Sequence, residues 1–167
     1  IDAAARFVYY TGTQINPLEE HLFRESLNGD APQQLTRDFG THHIQMDAGG
    51  HAYLDTFSNS STPPVTSIYE ADGNELAVFR KPYQSVVEHF DVLSSEILTV
   101  KASDGTLLYA RLIRPAHFNP NTKYPAIVFV YGGPGAQSIH NQWTGISWEQ
   151  ALAHRGYVIW QLDNRGS

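Results

Sequence analysis

Nucleophilic catalysis in a serine hydrolase of the α/β type requires Gly-x-Ser-x-Gly, because the serine sits on a strained strand-to-helix turn that exposes its hydroxyl. The 167 residues contain no such match: Ser138 and Ser147 follow glycines but lack the second one. Cysteine is absent, which removes a thiol nucleophile, a thiolate zinc site and a disulfide framework. His42 and His43 are adjacent, so on a strand they point to opposite faces. With no His-Glu-x-x-His anywhere in the sequence, they read as a structural or solvated pair, and no metal site is expected. Gly132 to Gly135 lacks the Gly-Lys-Ser/Thr tail of a phosphate loop and carries Pro134 where a backbone donor is wanted. The stretch Tyr131-Gly132-Gly133-Pro134-Gly135-Ala136-Gln137 is the informative one, although a strand-end turn would explain its glycines. Asp163 and Arg165 stand at the carboxyl end of an apolar run, where sites in α/β sheets gather. A loop-shaping ion pair or cap is the structural alternative to substrate contact for these two.

These residues need elements to position them. The first half reads as short strands: Phe7 to Tyr10, Leu22 to Leu27, Gln33 to Thr36, His42 to Asp47, Ala52 to Ser58, Val65 to Tyr69 and Glu75 to Phe79. Turn signals near 29, 39, 49, 60 and 72 recur at the spacing of an all-β sandwich, barrel or propeller. Four short strands between about 41 and 80 would make one propeller blade, and Ile1 to Thr36 most of another. Character changes at Lys81-Pro82. Tyr83, Val86, Val87 and Phe90 form an apolar helical stripe, predicting a short linking helix. Glu96 to Lys101 and Leu107 to Arg114, joined by Asp104-Gly105, predict a hairpin. Ala126 to Tyr131 is the continuous apolar run of a strand covered on both faces. A helix over Trp143 to His154, with Trp148, Ala151 and Leu152 on one face and Gly156 as its stop, precedes a second buried strand, Tyr157 to Leu162. Strand, glycine-rich turn, helix and strand make a βαβ crossover, so an α/β sheet begins in this half.

Composition narrows the function classes. Lys plus Arg is 11 against 17 Asp plus Glu, a formal charge of −6, which argues against a nucleic-acid binder working through a basic face. Hydrophobic residues are 41% and aromatics 12%, which excludes a disordered acidic tail and supports a packed, β-rich core. The longest apolar run falls far short of the roughly 20 residues of a membrane helix. No signal peptide is visible, and the sequence starts at Ile1 and stops at Ser167 just after an apolar stretch, so both ends read as cut.

Several motifs occur together and in order: Asp104-Gly105-Thr106-Leu107-Leu108, Lys123-Tyr124-Pro125, Val130-Tyr131-Gly132-Gly133-Pro134, Asn141-Gln142-Trp143, Arg155-Gly156-Tyr157 and Leu162-Asp163-Asn164-Arg165-Gly166-Ser167. They resemble the prolyl oligopeptidase family of serine peptidases, in its dipeptidyl-peptidase IV branch. Upstream, His21-Leu22-Phe23-Arg24, Gln34-Leu35-Thr36, Gly40-Thr41-His42, Asp55-Thr56-Phe57-Ser58 and Thr62-Pro63-Pro64-Val65 look like the closing blades of that branch's propeller. The resemblance implies a mixed fold: an all-β propeller-blade segment over residues 1–82, then over 83–167 a linking helix and the first strands of an α/β-hydrolase domain, truncated before the nucleophile elbow.

The implied activity is serine exopeptidase chemistry that removes dipeptides with proline or alanine second from peptides with a free amino end. A serine attacks, a histidine takes its proton, an aspartate orients the histidine, and a positioned donor steadies the oxyanion. In this family a tyrosine at the end of the third hydrolase strand is one such donor, and it maps onto Tyr131. The triad would follow residue 167, so the chain alone is expected to be inactive. The amine-binding acidic pair would lie in an earlier propeller segment. Glu19-Glu20 is then a solvated turn pair, and His140 and His154 are not the catalytic histidine. No cofactor is implied; a homodimer and a periplasmic or cell-surface setting are. An acylaminoacyl peptidase or esterase on the same scaffold, or a catalytically dead propeller-based binding protein, are the alternatives. A hydrolase sheet cut after its fourth strand also predicts self-association through an open edge at Tyr157 to Leu162.

Overall fold

The fold is that of a computed structural model, which describes residues 6–82 and 84–167, and the side chains of all of these except 84–86. The chain divides into two compact units: residues 6–82 with Asn141–Trp143 form one, and residues 84–140 with 144–167 the other.

In the first unit, β1 (Phe7–Gly12), β2 (His21–Ser26) and β3 (Gln33–Gln34) pair antiparallel in chain order. The strands β4 (Thr41–Met46), β5 (Ala52–Ser58), β6 (Val65–Glu70) and β7 (Glu75–Arg80) form a four-stranded antiparallel meander, the topology of a propeller blade. Leu22, Leu35 and Tyr53 are the buried centre, with Tyr9, Ile44, Met46 and Tyr69 packed on it. Tyr53 and Tyr69 stack with centroids 5.2 Å apart. The Thr36 hydroxyl accepts the Leu22 amide at 2.9 Å, which ties the strand after β3 back to β2.

The second half of this unit's interior is polar. His42 is buried and its neighbour His43 exposed, as strand alternation predicts. His42 Nδ1 lies 2.7 Å from the Asp55 carboxylate and Nε2 2.9 Å from the Asp38 carbonyl. Its ring also faces His21 and Phe57 at 5.1 and 4.9 Å. Both partners are acceptors, so both ring nitrogens donate and the cation is the form that fits. Burial pulls the His42 pKa down, but the hydrogen bond and charge of Asp55, with the carbonyl and charge of Asp38, outweigh it and the net shift is upward. Asn141 completes the unit with all four of its polar groups. Its amide donates to the Leu18 carbonyl at 2.7 Å, and its carbonyl accepts the Thr41 hydroxyl at 3.0 Å. Its side chain accepts the Ser60 amide at 3.1 Å and donates to Glu19 at 2.8 Å.

The second unit opens with α1 (Gln84–His89). Of the predicted stripe, Tyr83 and the Val86 side chain lie outside the described residues, and Phe90 is half exposed. The hairpin β8 (Ser95–Lys101) and β9 (Leu107–Ile113) forms as predicted. The strand β10 (Ala126–Phe129) runs parallel to β11 (Val158–Leu162) through α2 (Trp148–His154), which is the predicted crossover. The sheet order is β10-β11-β9-β8, with β11 antiparallel to β9. Ile113, Ala153 and Ile159 are its buried centre.

Three expectations fail here. The edges of this sheet are β10 and β8, not the strand at 157–162, because β11 inserts between β10 and β9 and is paired on both sides. Nor is the run 126–131 covered on both faces: Val128, Phe129, Val130 and Tyr131 are all exposed. The second helix begins at Trp148 rather than 143, since Asn141–Trp143 are drawn into the first unit. It also buries Gln150 and Ala153, while Trp148 and Ala151 face solvent. The Gln150 amide is buried because it bonds both backbone groups of Leu93, at 2.9 and 3.0 Å.

The His42 geometry gives a pH dependence. A folded-state pKa raised above the ordinary value near 6.5 stabilises fully below about that pH, and the contribution is lost as pH rises through the folded value. Urea unfolding of the chain and of His42→Gln should therefore show a stability difference that shrinks as pH rises above 6.5. A difference flat with pH would mean that His42 is neutral in the fold.

Candidate active-site loop

The candidate site is the loop that leaves β10. Tyr131 stands two residues past the end of that strand, at the carboxyl end of the parallel β10–β11 pair, and its side chain is 67% exposed. Gly132 and Gly135 have φ of 77° and 67°, a left-handed backbone that a side chain would strain. Gly133 has a different reason. A Cβ on Gly133 would meet Tyr131 Cε1 at 2.5 Å and Cδ1 at 3.1 Å. The phenol ring thus lies against bare backbone, and only glycine at 133 leaves it there.

The rest of the loop is tied to the rim of the sheet. The Gly135 amide donates to the Gly166 carbonyl at 2.6 Å. Asp163, just past β11 and buried, accepts the Ser138 amide at 2.9 Å and the Ile139 amide at 2.9 Å. Arg111, buried on β9, donates from Nη2 to the His140 carbonyl at 2.7 Å. Burial lowers the Arg111 pKa, and the charges of Glu149 and Asp163 work in the opposite direction.

The remaining sequence candidates fall elsewhere. Asp163 is the loop cap of the structural reading, but its ion pair with Arg165 does not form; Arg165 pairs instead with Asp104 at 2.7 Å on the surface. Ser138 offers its amide to Asp163, and the Ser147 hydroxyl is buried at the start of α2 without a capping bond. His140 holds the Gln137 carbonyl at 3.3 Å and His154 the Asp91 carbonyl at 2.9 Å. Glu19 is not a solvated turn residue. It is buried, with Asn141 at 2.8 Å and His21 Nε2 at 3.3 Å, and Glu20 accepts the Thr11 hydroxyl at 2.6 Å. Among the described residues no group of three or more His, Cys, Asp or Glu is placed to hold a metal ion. Sequence reasoning missed Arg111, although a charge inside the apolar strand pattern Leu107 to Ile113 is the signal of a buried polar role.

Residues 1–64 match the family model described as the dipeptidyl peptidase IV N-terminal region. Over its whole length the chain is 30% identical to dipeptidyl peptidase 8 of Mus musculus and 28% identical to a probable dipeptidyl-aminopeptidase B of Aspergillus terreus, covering 20% and 19% of those proteins. The crystal structure of Porphyromonas gingivalis dipeptidyl peptidase 4 superposes with a TM-score of 0.86 at 25% identity, over 97% of this chain and 23% of that one. The chain is similar to dipeptidyl peptidases in sequence and in fold. It spans about a fifth of the length of these relatives. The fold of this dipeptidyl peptidase IV-like chain is therefore propeller-blade sheet followed by the opening of an α/β-hydrolase sheet.

The ring position is open to direct test. Gly133→Ala adds one methyl at a backbone conformation that alanine tolerates, so the fold should persist by circular dichroism. The Tyr131 ring proton resonances should move, because Cβ displaces the ring. Unmoved resonances would show that the ring does not lie on Gly133.

Proposed function

We propose that this chain is part of a serine exopeptidase that releases amino-terminal dipeptides, of the X-Pro or X-Ala type, from peptides with a free amine. In this reading residues 1–82 are the carboxyl-terminal part of the propeller. Residues 83–167 open the hydrolase domain, and the serine, aspartate and histidine of the triad lie in sequence beyond residue 167. Tyr131 is the oxyanion donor. The supporting observation is the exposed phenol on a glycine turn at the carboxyl end of a parallel strand pair, in a chain whose relatives are dipeptidyl peptidases.

The chemistry is acyl transfer. As the serine adds to the scissile carbonyl, negative charge develops on the carbonyl oxygen. A donor aimed there stabilises the transition state more than the substrate, so it raises kcat rather than lowering KM. A phenol O–H supplies that bond without a net charge. Gly133 allows the ring its place, and the chain's own part in the reaction is to present this donor.

The β10 edge carries a second part of the proposal. Exposed Val128 and Phe129 on a strand paired on one side only, with exposed Val130 just past it, make this edge the route by which the chain alone associates with copies of itself. The complete enzyme is proposed to act as a homodimer.

Tyr131→Phe in the complete protein should lower kcat on a Gly-Pro chromogenic amide by about 10²–10³-fold with little change in KM; an unchanged kcat would remove Tyr131 from the mechanism. For the chain alone, light scattering should find oligomers that Val128→Lys shifts toward monomer. A monodisperse monomer before substitution would contradict the edge assignment.

A further inference from the structure

The segment that follows Tyr131 contains three glycines and a proline in four residues, 132–135, and so has few side chains of its own to fix it. Its upstream end is set by β10. Its downstream end is set by two buried charged side chains that the proposed mechanism does not use. Asp163 spans two consecutive loop amides with its two carboxylate oxygens, Oδ1 on Ser138 at 2.9 Å and Oδ2 on Ile139 at 2.9 Å. Arg111 takes the carbonyl of the next residue, His140, at 2.7 Å. Amide, amide and carbonyl of three successive residues are thus held by one anion and one cation, 6% and 5% exposed. Ile139 between them is fully buried, so the clamp closes over a packed side chain.

We propose that Asp163 and Arg111 are positioning residues for Tyr131, fixing the downstream end of the loop that Tyr131 opens. The inference rests on the oxyanion role of Tyr131. Burial and loop amides leave Asp163 no face toward a substrate amine, which separates this role from substrate binding. A loop whose anchor shifts carries its phenol with it, and displacement of a catalytic group by about 1 Å costs on the order of 10²-fold. Charge is part of the design: an ionised carboxylate offers acceptors to both amides, whereas a carboxamide offers one acceptor and turns an N–H toward the other.

The test is a double-mutant cycle in the complete protein, with kcat and KM measured on a Gly-Pro chromogenic amide for wild type, Asp163→Asn, Tyr131→Phe and the pair. Asp163→Asn should lower kcat tenfold or more with KM within about twofold, and should add little in the Tyr131→Phe background, since the group it positions is already gone. Equal losses in both backgrounds, or no loss from Asp163→Asn while Tyr131→Phe is crippled, would overturn the positioning role and leave Tyr131 as the donor. An unchanged kcat in Tyr131→Phe would instead overturn the oxyanion reading, and this inference with it. If Asp163→Asn does not fold, Arg111→Lys takes its place in the cycle with the same outcomes, because lysine keeps the charge but not the reach of the guanidinium to the His140 carbonyl.

Discussion

A buried carboxylate at the end of a sheet strand organises the chemically interesting part of this chain. Asp163 gains its place from β11 and gives the residues 138–139 their place through two backbone amides. An unpaired carboxylate at that depth would be costly, and so would two unpaired amides. Each satisfies the other, with Arg111 offsetting the charge from β9. The glycines upstream can then be permissive without the loop being shapeless, because its far end is determined by partners with fixed backbones.

The blade-like unit uses the same physics for a different end. Its hydrophobic centre is small: Leu22, Leu35 and Tyr53. The rest of the interior is filled by His21, His42, Asp55 and Glu19, all buried. Such a core is costly unless its polar atoms are paired; the His42–Asp55 and Glu19–Asn141 bonds pair several of them, while Tyr53 OH and Asp55 Oδ1 are buried without a hydrogen-bond partner. This gives β4 and β5 a directional register as well as an apolar one.

Much of the fold is legible in the sequence because it rests on local signals. Alternating apolar residues and turn pairs place β1 to β9 within a residue or two, and the change at Lys81-Pro82 marks where strand spacing gives way to helix. What is not legible depends on pairing order. The run 126–131 looks like a central strand, since nothing local says that β11 will insert between it and β9. Trp143 looks helical by composition, but Trp143 donates its amide to Ser58 Oγ, 85 residues away, and the helix starts later. Tyr131 is singled out by the motif around it. Arg111 and the burial of Glu19 are not, because the partners that make a charged residue tolerable inside are distant in the chain.

Asn141 has a consequence for dissecting the protein into parts. Its backbone and side chain satisfy the Leu18 carbonyl, the Thr41 hydroxyl, the Ser60 amide and the Glu19 carboxylate. A polypeptide ended at residue 82 would leave those four groups to water. The blade unit is therefore discontinuous, and a faithful excision needs a short peptide bearing Asn141 to Trp143 added in trans, in the manner of fragment complementation.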